Sequence, residues 1–114
     1  MATTKGFTTL EQSFKLAEIL PIESADMYWW SSGKRYYIEA MDDGDFNEGE
    51  GHIRAWSLAA LLSVLPEIQG GKPAISLDDN YITYPHMSDL HTKADNLIDA
   101  CYEIIIKLNE LKIL

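Results

Sequence analysis

The apolar residues Leu97, Cys101, Ile104, Leu108 and Leu111 recur at steps of four and three. That spacing is one face of an α-helix. Ile98, Tyr102 and Ile105 widen the stripe, so a helix is expected from about Thr92 to Leu111. A helix with so broad an apolar face has to lie on a second layer, and the rest of the chain must supply it. Charge supports the assignment: Asp95 and Asp99 fall near the positive start, Lys107 and Lys112 near the negative end. Glu103 and Lys107 have the spacing of a favourable pair, and Ser88 or Thr92 is expected to cap the start.

Upstream, Thr8 with Glu11 or Thr9 with Gln12 has capping-box spacing. Leu10, Phe14, Ala17, Leu16, Ile19 and Leu20 then form an apolar helical face, which Pro21 ends. Tyr28, Trp29 and Trp30 precede Ser31-Ser32-Gly33, and Tyr36, Tyr37 and Ile38 follow, which reads as a β-hairpin. Ser57 caps a second helix, Leu58 to Leu65, whose near absence of polar residues places it at the centre of the core, and Pro66 stops it. AISLDDNYITY reads as a second hairpin. The fold class expected is α+β, in the order helix, hairpin, helix, hairpin, long helix, with the helices on a small antiparallel sheet. Residues 1 to 8 are expected to fray and 9 to 114 to form one domain.

The totals agree: 114 residues, 46% hydrophobic and 24% charged, suit a globular domain with its own core. One cysteine excludes an internal disulfide. No signal-like N-terminal run and no window of roughly 18 apolar residues is present. The expectation is a cytoplasmic protein with no membrane contact.

The net charge is −9, and Asp42, Asp43, Asp45, Glu48 and Glu50 crowd into one run. The longest basic cluster is Lys34-Arg35, so direct nucleic-acid binding is not expected. The acidic run poses the question of calcium. With Asp43 as position 1 of an EF-hand loop, Asp45 and Asn47 fall at 3 and 5. Position 6 is then Glu48, where glycine is needed, and position 12 is Arg54, where a bidentate carboxylate is needed. That excludes an EF-hand. It leaves either a looser calcium site on Asp43, Asp45 and Asn47 or a solvated acidic loop, and the loop is the preferred reading.

His86, Asp89, His91 and Asp95, with His52, are the other metal candidates, but His-x4-His is not a helical ligand pair. Cys101 sits within an apolar stripe and reads as a buried hydrophobe rather than a nucleophile. No nucleophile elbow or phosphate loop is present, so neither catalytic residues nor a cofactor is expected. Trp29, Trp30, Tyr36 and Tyr37 are the binding candidates. Neighbours on a strand point to opposite faces, so Trp29 and Trp30 cannot enter the same core.

Three stretches, TLEQSFKLAEILPIESADMYW, AWSLAALLSVLP and NLIDACYEIIIKLNELKIL, resemble in that order a family of small uncharacterised proteins from gut-bacterial genomes, often in mobile or phage-derived contexts. The likeness covers most of the chain. It implies a whole single domain and an accessory role, and brings no activity or catalytic residues. The leading expectation is therefore a non-enzymatic protein that binds a partner through its aromatic hairpin. An acidic decoy of a nucleic-acid-binding protein and a small metal-dependent enzyme are the alternatives. A homodimer suits all three.

Overall fold

The structure, a computed structural model, describes residues 6–41 and 46–114. Its class is α+β, built on two three-stranded antiparallel sheets. In chain order the elements are α1 (Leu10–Ala17), β1 (Met27–Ser31), β2 (Tyr36–Ala40), β3 (Ile53–Ala55), α2 (Leu58–Val64), β4 (Ala74–Ser76), β5 (Tyr81–Tyr84), β6 (Met87–Lys93) and α3 (Leu97–Glu110). The sheets run β2-β1-β3 and β4-β5-β6. No helix among the described residues is long and apolar enough to cross a membrane.

Both expected hairpins form, and each gains a third strand that was not expected. Ile53–Ala55 pairs with β1, and Met87–Lys93 pairs with β5. The second strand shortens the last helix. Thr92 belongs to β6, where it is buried and its hydroxyl donates to the carbonyl of Ala100 at 2.8 Å. The helix cap is Asn96, whose side chain accepts the Asp99 N–H at 2.9 Å, rather than Ser88 or Thr92. Lys107, expected beside Glu103, donates to the carbonyl of His91 at 3.1 Å.

The core is one cluster centred on α3, not on α2. Leu97, Ile98, Cys101, Ile104, Ile105 and Leu108 are buried against Ile82, Tyr84 and Leu90 of the second sheet and Leu61 of α2. Each large aliphatic side chain so buried contributes about 1.5–3 kcal/mol. Of α2 only Ala60 and Leu61 are buried. It is seven residues long and leaves the helical region at Leu65, before Pro66.

At α1, Thr9 accepts from the Gln12 N–H and the Gln12 side chain accepts from the Thr9 N–H, a complete capping box. Leu16 and Leu20 are buried, whereas Phe14, expected on the inner face, is 54% exposed. Nor do the last residues of the expected frayed segment lie apart from the fold. Phe7 bridges Ser57, the Thr8 N–H donates to the Trp56 carbonyl, and the Thr8 side chain is wholly buried.

Candidate functional site: the aromatic hairpin

Strands β1 and β2 meet in an unbroken register from Met27↔Ala40 to Ser31↔Tyr36. The turn between them closes with the Ser32 N–H on the Arg35 carbonyl at 3.1 Å. Gly33 takes φ +96° there, the positive first position that a two-residue hairpin loop favours. Side chains alternate across the sheet. Tyr28, Trp30, Tyr37 and Glu39 share one face; Trp29, Tyr36 and Ile38 share the other.

The two tryptophans are accordingly held in different ways. Trp29 donates its indole N–H to the Thr8 carbonyl at 3.2 Å and meets the ring of Phe7 edge-on at 5.7 Å. The N-terminal residues cover it in part. Trp30 stacks on Tyr37 with centroids 4.7 Å apart. Its indole nitrogen is buried and has no hydrogen-bond partner among the described residues. Leaving such a donor unpaired costs about 1–3 kcal/mol. Tyr36 and Tyr37 are 47% and 40% exposed. Both tryptophans are half-buried.

The described end of the acidic run folds back onto the same face. Tyr28 is buried beneath it, stacked on His52 at 5.0 Å and edge-on to Phe46 at 5.8 Å. Its hydroxyl donates to Glu39 at 3.0 Å. His52 Nδ1 accepts the Asn47 N–H at 3.0 Å, and the Asn47 side chain accepts the Gly49 N–H at 2.9 Å. Arg54, the cation at the failed position 12, donates to Glu48 at 2.6 Å and to the carbonyl of Leu20 at 3.3 Å. Of the three residues weighed for calcium, Asp43 and Asp45 lie outside the described residues, and the Asn47 oxygen holds a turn.

The remaining candidates are placed apart. His91 and Asp89 belong to β6, with His91 stacked on Tyr81 at 5.8 Å. His86 lies in the turn before β6, close to Gly71. Among the described residues no group of three or more His, Cys, Asp or Glu is placed to hold a metal. Cys101 is fully buried, and burial pushes its thiol up to about 12, so a thiolate nucleophile is disfavoured there.

One concave feature was not legible in the sequence. Hollows of about 510 and 340 Å³ run between β6 and the outer side of α3, sharing Lys107 and Glu110. Tyr102 and Ile106 line one, Met87 and Leu111 the other. Seeing this groove requires knowing that residues 87–93 form a strand. No protein-family model, curated protein or solved structure matches the chain.

Proposed function

We propose that this protein is a non-enzymatic binding module that docks a protein partner on its β1–β2 hairpin, through the face that carries Trp30 and Tyr37; Trp29 and Tyr36 lie on the opposite face and take no part in it. The observation that carries the reading is the Trp30–Tyr37 stack. It sets a half-buried indole beside a phenol that is 40% exposed. Rigid, amphipathic aromatic rings with few rotatable bonds are the side chains that dominate binding energy at protein interfaces.

The test is capture of the tagged protein from lysate of its own host, followed by mass spectrometry, with Tyr36→Ser and Tyr37→Ser run in parallel. Both positions are exposed, so the variants should fold as the parent does. Phe14→Ser removes an exposed aromatic on a different element and serves as the control. The expected result is one partner in stoichiometric amount, kept by Phe14→Ser and by Tyr36→Ser on the opposite face, and lost by Tyr37→Ser. A partner held equally by all the variants would overturn the reading.

A further inference from the structure

The two sheets present four outer edges, and three of them are covered, short or guarded. The edge of β3 packs against α1 and continues into the Phe7–Ser57 bridge. The β4 edge is three residues long. That of β6 carries an irregularity opposite Thr83 and Tyr84, and Lys107 caps its His91 carbonyl. Bulges, lysines and shortness are the devices by which natural sheets discourage further pairing. Strand β2 has none of them. It is five residues long, regular in register, free of proline and lysine, and mostly exposed. Among the described residues its only strand partner is β1.

The direction of its backbone groups follows from the hairpin. The Met41 N–H donates to Asp26 and the Ser32 N–H to Arg35, both within the ladder. Antiparallel pairs alternate between hydrogen-bonded and non-bonded. Tyr28–Glu39 and Trp30–Tyr37 are therefore the bonded pairs, and Tyr36, Ile38 and Ala40 turn their N–H and C=O groups outward.

We propose that two copies of this chain join edge to edge through β2, antiparallel about a two-fold axis at Ile38, to make one continuous six-stranded sheet. In this register every outward residue meets an outward residue: Ile38 meets Ile38 of the second copy, and Tyr36 meets Ala40 at both ends. All the free edge groups of the three residues are used. The side chains also match. The large Tyr36 faces the small Ala40, and the hydroxyl of Tyr37 faces the carboxylate of Glu39. Beyond the strand, Lys34 and Arg35 of one copy come beside Met41 of the other, from which the sequence runs directly into its acidic stretch. Other registers do worse: centring on Tyr37 leaves Ala40 without an outward residue of β2 to meet, and centring on Glu39 sets two carboxylates opposite each other. The pairing brings the two Trp30–Tyr37 stacks onto one face. It stands apart from the partner reading, which concerns that face and not the edge.

The experiment is sedimentation velocity of the full chain over a concentration series, paired with amide hydrogen exchange by NMR. The parent should dimerise. As concentration rises, the Tyr36, Ile38 and Ala40 amides should gain protection, while those of Tyr37 and Glu39, already bonded within the hairpin, change little. Ile38→Pro deletes an outward N–H without breaking a bond of the hairpin, and should weaken the dimer roughly tenfold or more. Lys34→Glu with Arg35→Glu should weaken it in the same direction, and circular dichroism checks that each variant is folded. A chain that stays monomeric at its highest soluble concentration would overturn the proposal. So would a dimer whose Tyr36, Ile38 and Ala40 amides stay open, or one that an Ile38→Lys variant leaves intact.

Discussion

Gln12 donates its side-chain amide to Asp99 at 2.8 Å, across 87 residues of sequence. The same side chain accepts the Thr9 N–H at 3.0 Å and so completes the cap of α1. Asp99 in turn accepts from Asn96, the cap of α3, at 3.0 Å. The starts of the first and last helices are thus held by one polar network. Its position accounts for the choice of glutamine over glutamate at Gln12. A carboxylate there would serve the capping box equally well but would face the Asp99 carboxylate.

Gln12→Glu should therefore destabilise the fold, although glutamate at this position of a helix is ordinarily favourable. Gln12→Ala should cost about 1–2 kcal/mol, because a cap and a tie between helices go together. Urea unfolding of both variants checks this. A Gln12→Glu protein as stable as the parent would overturn the prediction, and a Gln12→Ala protein as stable as the parent would show that neither the cap nor the bond to Asp99 contributes.

A second buried network depends on one hydroxyl. Thr8 Oγ1 lies 2.7 Å from Ser13 Oγ, with both residues wholly buried, and it accepts the Trp56 N–H at 3.2 Å. Thr8→Val keeps the shape and removes the hydroxyl. It leaves a serine hydroxyl and a backbone N–H unpaired in the interior, and should cost about 1–3 kcal/mol. Deleting both partners is expected to be milder than deleting one. Thr8→Val combined with Ser13→Ala should cost less than the sum of the two single changes, measured as a double-mutant cycle in urea.

Elements with strong local signals were legible in the sequence. The Thr9–Gln12 box, the Ser57 cap, the Pro66 stop and the two hairpins have causes that act within a few residues. Strands β3 and β6 do not. Ile53–Ala55 is too short for an alternating pattern, and its reason to be extended is the ladder to Met27 and Trp29. In β6 the alternation exists, with Leu90 and Thr92 buried and Asp89, His91 and Lys93 exposed. Asp, His and Lys are poor strand formers, and the segment adjoins a strong helical period, which drew Thr92 into the wrong element. The candidate site followed the same rule. The alternation that separates Trp29 from Trp30 could be read locally. The covering of Tyr28 by Phe46 and His52 is a tertiary contact, and so is the β6–α3 groove.

Burial of two acidic protons sets the behaviour in alkali. The Cys101 thiol is pushed from 9.0 to about 12, and the Tyr84 phenol, which donates to the Pro66 carbonyl at 2.8 Å, from 10.0 to about 12. The folded chain keeps protons that the unfolded chain releases. Stability from these groups is complete below pH about 9 and falls as pH rises toward about 12, since the unfolded state binds fewer protons across that window. Cys101→Ala should lower stability at neutral pH through lost packing, and should flatten the alkaline decline. Urea unfolding at neutral pH and at pH about 10 checks both signs. In the folded parent, labelling by a thiol reagent should be slow and should speed up in proportion to the unfolded fraction.

Arg54 joins the acidic turn to the end of α1. Its Nε donates to Glu48 at 2.6 Å, and its Nη1 donates to the Leu20 carbonyl at 3.3 Å and reaches that of Ala17 at 3.5 Å. The guanidinium fork makes both sets of contacts at once, and an ammonium cannot. The side chain is 19% exposed and that of Glu48 is 51% exposed, so the ion pair itself is largely screened. Most of the effect should come from the carbonyls at the negative end of the helix. Arg54→Ala is expected to cost about 1–2 kcal/mol, and Arg54→Lys to recover only part of that. Glu48→Gln, which keeps an acceptor and removes the charge, should change stability by less than about 0.5 kcal/mol. Urea unfolding of the three variants at low and high salt separates the contributions. If Glu48→Gln matched Arg54→Ala and both losses vanished in salt, the ion pair and not the helix end would be what Arg54 serves.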